Sequence, residues 1–274
     1  MNHTTIVSVE WLSQHIDAPN LIVLDASLKK NQAKLDAIYS NVQIKGARFV
    51  DLKNIFSDQY STVPNTMLPA DLFSLECQKL GINKEHKIVV YDNLGIYSSP
   101  RIWWMFQLMG HKNTAVLDGG LPAWILAKGP TEPISKEINT FKIGTFKANY
   151  QSHWLVNKSE VTANIDHSKA FVIDARSEER FLGTVLESRK NLRSGHIPKA
   201  LNLPFKYVLN QGFLKKKEAL LDLIIALKLE KRALIFSCGS GVTACIVLLA
   251  LETIIDNPKA LYDGSWSEWG SIEE

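Results

Sequence analysis

The sequence contains few cysteines, and their spacing excludes several kinds of site. Its three cysteines, Cys77, Cys238 and Cys245, form no Cys-x-x-Cys pair and none of the spacings of a structural zinc site. An odd and low number of cysteines argues against a disulfide-stabilised secreted domain and favours a reducing compartment. We therefore expect a cytoplasmic protein without a metal site, and nothing else in the sequence calls for a cofactor.

Long apolar segments and a strong charge imbalance are also absent. No run of about 18 apolar residues occurs, so we expect no transmembrane helix. The first eight residues lack a basic region followed by an apolar core, so we expect no signal peptide. The formal net charge is only +3 over 274 residues. Nothing in this charge indicates nucleic acid or a membrane surface as a partner.

The second half of the chain repeats the order of elements found in the first half. An apolar run that ends near Asp25 returns near Asp174, 149 residues later, and Cys238 stands 146 residues after Asp92. Offsets that agree to within three residues indicate an internal duplication. Short apolar strands alternate with helical patterns, which is typical of parallel sheets covered on both faces. The sequence therefore predicts an α/β fold made of two tandem duplicated domains, each a mostly parallel sheet flanked by helices.

The segment between the two copies has Pro130, Pro133 and several charges but no long apolar period. We interpret it as a connector. The predicted boundaries are a first domain over residues 5–130, a linker over 131–154 and a second domain over 155–274.

One loop of the second copy carries a cysteine between a strand and a helix. The apolar run 233–236 precedes Cys238, the run 245–251 follows at helical length, and the residues between are small. Gly239 and Gly241 allow a tight turn that points backbone N–H groups inward, and these groups and the helix N-terminus favour a thiolate. Cys238 is therefore a candidate nucleophile. The alternative is a buried core cysteine at a strand end.

The residues Cys238-Gly239-Ser240-Gly241-Val242-Thr243 resemble the active-site loop of the rhodanese superfamily, in the version carried by two-domain 3-mercaptopyruvate sulfurtransferases. This resemblance implies that Cys238 is catalytic and that residues 239–243, namely Gly239, Ser240, Gly241, Val242 and Thr243, bind substrate. It further implies that sulfur passes from 3-mercaptopyruvate, through a Cys238 persulfide, to a thiol or cyanide acceptor, with release of pyruvate. A thioredoxin-like protein is one such acceptor. The first copy has Asp92 in place of the cysteine and is expected to be non-catalytic.

Two arginines of the second copy match a substrate-binding segment of similar sulfurtransferases. There, an Arg-Phe-x-Gly-Thr segment and a second arginine nine positions after the first hold the substrate carboxylate, which places Arg180 and Arg189 in this role. The alternative is that they pair on the surface with Glu178, Glu179 or Glu187. The chain departs from the family at residues 185–188, Val-Leu-Glu-Ser, where a Pro-Glu-Pro run is common.

The residues after Cys238 bear on the choice of sulfur donor. Thiosulfate-specific rhodaneses resemble this loop but carry Arg and Lys where this chain has Gly239 and Ser240. Two small neutral residues suit a donor whose charge is a carboxylate bound elsewhere, so a thiosulfate sulfurtransferase is the alternative function. Ser240 either donates a hydrogen bond or relays a proton, or it is a loop residue selected for its size.

The sequence also argues against a catalytic triad and against a phosphatase-type site. Some relatives carry a histidine before Met-Leu-Pro, proposed to form a triad with the loop serine, but Thr66 stands there in this chain. A cysteine-dependent phosphatase or arsenate reductase needs an arginine at position 244, which is alanine. A non-enzymatic sulfur carrier is a further alternative. His196 and Cys245 are interpreted as structural.

Overall fold

The structure is a computed structural model that describes residues 4–31, 33–134, 140–187, 189 and 191–272. The chain folds into two compact units. Unit 1 comprises the described residues of Met1–Gln59, Met67–Gln151 and Gln211–Leu214, and unit 2 those of Tyr60–Thr66, Ser152–Asn210 and Lys215–Glu274. Each unit therefore includes one short segment taken from within the other half of the sequence.

Unit 1 is built on a parallel five-stranded sheet in the order β1-β6-β5-β2-β4. Its central strand, Lys87-Ile-Val-Val-Tyr91, is apolar and largely β-branched, as expected for a strand buried on both faces. The bounds are β1 Ile6–Val7, α1 Val9–His15, β2 Leu21–Asp25, β3 Val42–Ile44, β4 Arg48–Phe49, α2 Ala70–Lys79, β5 Lys87–Tyr91, α3 Ser99–Leu108, β6 Thr114–Leu117, α4 Gly120–Leu126 and β7 Thr131–Pro133.

Unit 2 is built on a second parallel five-stranded sheet, in the order β10-β9-β13-β14-β8. Its helix α8 is buried along almost its whole length, which matches its apolar sequence. The bounds are β8 Leu155–Val156, α5 Lys158–His167, β9 Ala170–Asp174, α6 Glu178–Leu182, β10 Leu201–Asn202, β11 Leu209–Asn210, β12 Phe213–Leu214, α7 Lys217–Ala226, β13 Ala233–Ser237, α8 Ala244–Glu252, β14 Lys259–Tyr262 and α9 Ser265–Trp269. The strand β12 lies in the segment assigned to unit 1.

The two sheets have the same topology. The strands of unit 1 follow one another in the order β1, β6, β5, β2 and β4. The corresponding strands of unit 2 are β8, β14, β13, β9 and β10, in the same order. The prediction of two duplicated α/β units with parallel sheets is therefore confirmed. Asp92 and Cys238 occupy the same place, directly after the central strand of each sheet.

The sequence predicts serine caps at two helix starts, Ser8 for α1 and Ser99 before Pro100 for α3, and one of these two predictions is confirmed. The Ser8 side chain accepts the Trp11 N–H at the start of α1, as its sequence position predicts. The prediction that Ser99 caps α3 is wrong, because Ser99 is the first residue of that helix and Ser98 precedes it. Both hydroxyls are used elsewhere: Ser98 Oγ donates to Ala26 O and Ser99 Oγ donates to Asp92.

Part of the predicted linker packs into unit 1. The strand β7 pairs antiparallel with β3, and Phe146 is buried against the rings of Phe73 and Phe106. Within the described ranges, no helix is both long and apolar enough to span a membrane.

Candidate active site

Cys238 lies in the loop that joins the central strand of unit 2 to a buried helix. The strand β13 ends at Ser237, and α8 begins at Ala244. Because β13 is flanked by the parallel strands β9 and β14, this loop lies at the carboxyl edge of the sheet, where α/β proteins commonly place binding sites. Cys238 is a free cysteine and only 2% exposed.

The short helix α9 fixes the first two peptide groups of this loop. Trp266 N–H donates to Cys238 O at 3.0 Å, and Ser267 donates to Gly239 O from its N–H at 2.9 Å and from its Oγ at 2.6 Å. A trans peptide directs its N–H opposite to its C=O. The N–H groups of Gly239 and Ser240 therefore point away from α9.

A strained serine holds the backbone of Cys238 itself. Ser265 is fully buried and has a φ of +50°, which is uncommon for a residue with a side chain. Its Oγ accepts the Cys238 N–H at 3.2 Å and donates to Tyr262 O at 2.9 Å. Strain of this kind is typical of functional sites, and no local sequence signal predicts it.

Unit 1 shows how the corresponding loop binds a negative charge. The Asp92 carboxylate is fully buried and accepts the N–H groups of Leu94, Tyr97, Ser98 and Ser99 at 2.8–3.0 Å, and also the Ser99 hydroxyl. Burial raises the pKa of Asp92, although the Ser99 hydroxyl and the backbone bonds act in the opposite direction. This loop is an anion-binding nest that is filled by its own side chain.

The loops of the two units are held in the same way. Leu121 N–H donates to Asp92 O at 3.0 Å in unit 1, as Trp266 N–H donates to Cys238 O at 3.0 Å in unit 2. The side chain that fills the nest in unit 1 is replaced in unit 2 by the thiol of Cys238. The fold of the chain therefore contains one occupied nest, and in its second copy a cysteine in the corresponding position.

Arg180 and Arg189 come together beside the loop. A Cβ built on Gly239 would lie 3.4 Å from Arg180 Nη2 and 3.5 Å from Arg189 Nη2. Arg189 also donates from Nη2 to Gly239 O at 3.1 Å and from Nη1 to Ser267 Oγ. The two guanidinium groups thus lie directly beside the cysteine loop at Gly239.

A buried glutamate holds these arginines. Arg180 Nη2 donates to both carboxylate oxygens of Glu187, at 2.9 Å and 2.8 Å, and Arg189 Nε lies 3.7 Å from the same carboxylate. The alternative prediction, a surface ion pair with a nearby glutamate, names the right partner, because both arginines lie beside Glu187. The pair does not lie on the surface, because the Glu187 side chain is only 2% exposed.

The charges of this cluster leave one positive charge over. Arg176 forms a buried ion pair with Asp174 at 2.6 Å, and its Nη1 lies 3.9 Å from Glu187. Three guanidinium groups therefore surround two carboxylates. Burial lowers the pKa of Arg189 and Glu187 opposes this shift, but an arginine stays charged in proteins. The guanidinium groups thus outnumber the carboxylates by one, and this excess favours negatively charged groups beside the loop.

The remaining candidates have structural surroundings, as the sequence predicts. His196 Nδ1 lies 2.8 Å from Phe181 O, and its ring stacks on the Phe181 ring. Cys245 is buried and donates from its Sγ to Gly241 O at 3.3 Å. Cys77 is buried, and this burial raises the pKa of its thiol well above the ordinary value. Among the three cysteines, Cys238 alone lies in a glycine-containing loop beside two arginines.

Comparison with known proteins places this arrangement in a family. The model of the rhodanese-like domain matches the chain twice, over residues 8–127 and 157–272. The chain belongs to the rhodanese-like family. The predicted family and fold class are both confirmed, and Cys238 lies in the second rhodanese-like domain.

Three relatives of this rhodanese-like chain are informative. A 3-mercaptopyruvate sulfurtransferase from Escherichia coli K12 is 35% identical and covers 99% of this chain and 96% of its own. A thiosulfate sulfurtransferase from Cricetulus griseus is also 35% identical and covers 97% and 92%. The crystal structure of a 3-mercaptopyruvate sulfotransferase from Escherichia coli matches with a TM-score of 0.82 and 34% identity, over 97% of this chain and all of that one.

Proposed function

We propose that this protein is a 3-mercaptopyruvate sulfurtransferase and that Cys238 is its nucleophile. The observation that carries the proposal is the approach of Arg180 and Arg189 to a cysteine loop that contains no cation of its own. A donor with a carboxylate at one end and a thiol at the other fits these two features. The full-length similarity to a 3-mercaptopyruvate sulfurtransferase supports the same activity.

The reaction follows from the nature of the two groups. The Cys238 thiolate attacks the sulfur of 3-mercaptopyruvate, so that an S–S bond forms as the C–S bond breaks. The electron pair of the broken bond passes to the departing carbon as the enolate of pyruvate, and the proton of the donor's thiol ends on that carbon. The cysteine persulfide then gives its outer sulfur to a thiol or to cyanide, in a ping-pong sequence that restores the thiolate. Every atom comes from the donor and the cysteine, so the step needs no cofactor.

The backbone of the loop supplies the anion site for the sulfur. Ser240, Thr243 and Ala244 hold the offsets from Cys238 that Leu94, Tyr97 and Ser98 hold from Asp92. We assign the N–H groups of these three residues to the persulfide anion, because the corresponding groups of unit 1 bind a carboxylate. The glycines at 239 and 241 and the small Val242 complete the loop around the sulfur.

The arginines supply the site for the carboxylate. A guanidinium can pair with a carboxylate through two parallel hydrogen bonds. The bonds of Arg180 to Glu187 both come from Nη2, so they occupy only one of its two Nη groups. The single net positive charge of the cluster matches the one carboxylate of 3-mercaptopyruvate. Thiosulfate carries two negative charges close to the transferred sulfur and would leave one of them unpaired here.

Further features of the proposal concern the acceptor, the location and the domains. We propose a small thiol, cyanide or a thioredoxin-like protein as the acceptor. We propose the cytoplasm as the location, since none of the three cysteines, all of them in the described part of the chain, forms a disulfide. We also retain the division into a non-catalytic domain over residues 5–130, a linker over 131–154 and a catalytic domain over 155–274.

The choice of donor is tested with the purified protein. We expect kcat/KM for 3-mercaptopyruvate, measured as pyruvate release with cyanide as acceptor, to exceed that for thiosulfate, measured as thiocyanate formation. The alternative, a thiosulfate sulfurtransferase, is supported by the Cricetulus griseus relative. A higher kcat/KM for thiosulfate would establish that alternative, and no transfer from either donor would exclude both enzymes.

The role of the arginine cluster in the choice of donor can be tested with the variant Glu187→Gln. Glu187→Gln keeps the volume and the hydrogen-bonding oxygen but removes the charge between the arginines, so the net charge of the cluster rises by one. We expect the ratio of kcat/KM for thiosulfate to that for 3-mercaptopyruvate to rise about tenfold, the effect of about 1.4 kcal/mol of charge interaction. An unchanged ratio would show that this cluster does not choose the donor.

A further inference from the structure

Ser240, in the cysteine loop, has a hydrogen-bond partner 175 residues away in the sequence. Asn65 belongs to the segment Tyr60–Thr66, which packs as part of unit 2. Its Nδ2 lies 3.0 Å from Ser240 Oγ and 3.1 Å from Ser240 O. A backbone carbonyl can only accept, so the amide must present its NH₂ group, and the two hydrogens of that group serve the two oxygens.

The backbone of Asn65 is suited to this contact. Its φ is +62°, in the left-handed region that asparagine tolerates better than most residues. The neighbouring Thr66 is engaged within its own segment, where its hydroxyl donates to Val63 O at 2.7 Å and lies 2.7 Å from Ser61 Oγ. Asn65, and not Thr66, is therefore the side chain of this segment that bonds to the Ser240 hydroxyl.

The bond from Asn65 determines what the Ser240 hydroxyl can do. When Oγ accepts the Asn65 N–H, the hydroxyl hydrogen remains available for another acceptor. The enolate that leaves as the C–S bond breaks develops negative charge on its oxygen, and a donor placed in advance stabilises such a charge. Asparagine does not titrate near neutral pH, so it orients the hydroxyl without taking its proton.

We propose that Asn65 is a positioning residue that holds the Ser240 hydroxyl as a hydrogen-bond donor to the keto oxygen of the bound sulfur donor. This role rests on the proposed sulfur transfer from 3-mercaptopyruvate. It makes Asn65 and Ser240 one functional pair in a chain that has threonine at position 66.

The first test removes the amide and keeps the backbone. Glycine adopts the left-handed conformation freely, so N65G deletes the side chain without adding strain. We expect kcat to fall about fivefold to tenfold, the effect of one net hydrogen bond, with KM changed less than twofold. In the S240A background the same change should cost less than about twofold, because the hydroxyl is already absent. S168G, at another left-handed position of unit 2 at the end of α5, is the matched control and should keep wild-type kcat.

A second variant separates positioning from simple filling of space. N65D has the size of asparagine, but its carboxylate can only accept and would face the Ser240 carbonyl oxygen. We expect N65D to be slower than N65G. A space-filling role predicts the reverse order, since N65D preserves the shape. Thermal unfolding of each variant shows whether the fold is kept. If N65G melts well below the wild type, the kcat of N65D is compared with that of the wild type and that of S240A, and this comparison tests the positioning role instead.

Three results would overturn the pairing of Asn65 with Ser240. They are a wild-type kcat in N65G, an equal loss from N65G in the presence and absence of the Ser240 hydroxyl, or an N65D enzyme at least as fast as N65G. All of them require an active wild-type enzyme. Failure of the wild type to release pyruvate would instead contradict the proposed function.

Discussion

The variant Cys238→Ser should lose sulfur transfer from 3-mercaptopyruvate, by about 10³-fold or more, while keeping its fold. A hydroxyl is a far weaker nucleophile than a thiolate, and it cannot carry the sulfur as a persulfide. Pyruvate release by the purified variant measures the loss. Thermal unfolding checks the fold, which should be little changed because serine differs from cysteine by one atom in a loop held by α9.

A matched cysteine variant controls for the chemistry of the substitution. In Cys245→Ser the hydroxyl can replace the Sγ bond to Gly241 O, so we expect activity within about twofold of the wild type. Retention of activity in Cys238→Ser, or an equal loss in Cys245→Ser, would remove Cys238 from the role of nucleophile.

The variant Arg180→Ala should chiefly weaken the binding of 3-mercaptopyruvate. Loss of one partner of a desolvated, hydrogen-bonded charge pair costs about 2–5 kcal/mol. The Arg180 side chain is 29% exposed, so the lower end applies, which is roughly a 30-fold fall in kcat/KM, mainly through KM. Glu187 keeps Arg189 at 3.7 Å and Arg176 at 3.9 Å, so its carboxylate is not left without a cation.

Arg232 offers a control of similar exposure for this experiment. Its side chain is 34% exposed, it pairs with Glu230, and it precedes β13 at the opposite end of the strand from Cys238. Arg232→Ala should leave KM for 3-mercaptopyruvate unchanged. A wild-type KM in Arg180→Ala would show that Arg180 serves only to pair with Glu187.

The duplicated fold could be predicted because its signals are local and occur twice. Each strand is a short apolar run, and the cysteine or aspartate loop of each copy follows such a run. The nearly constant offset between the two copies supports these assignments. The wrong helix cap at Ser99 has the same origin, since the Asp92 carboxylate that takes its hydroxyl lies outside the capping pattern.

The partners within the site could not be predicted because they depend on residues far apart in the sequence. Asn65 meets Ser240 across 175 residues, and Ser267 meets Gly239 across 28, with no period or motif that links them. Glu187 appears in the sequence as a possible surface partner of the arginines, and only the fold shows that its carboxylate is buried among them. The residues proposed to react were predicted from the sequence motif, whereas their hydrogen-bond and charge partners depend on the packing of the fold.

The loops after Asp92 and Cys238 differ in what their backbone N–H groups can bind. In unit 1 a carboxylate fused to the loop takes four backbone N–H groups, so no external anion can use them. In unit 2 the N–H group of Cys245, which corresponds to that of Ser99, donates to Val242 O at 3.1 Å, so three N–H groups remain for the proposed persulfide. The two loops also differ in the residues that follow, Asn93 to Tyr97 in unit 1 and Gly239 to Thr243 in unit 2.

The most direct test of the proposed mechanism is the position of the added sulfur. The wild-type protein is treated with 3-mercaptopyruvate without an acceptor, and the intact chain and its proteolytic peptides are weighed by mass spectrometry. The mechanism predicts one added sulfur atom, on the peptide that contains Cys238, which cyanide then removes as thiocyanate. Sulfur on Cys77 or Cys245, or pyruvate release without any sulfur on Cys238, would contradict it.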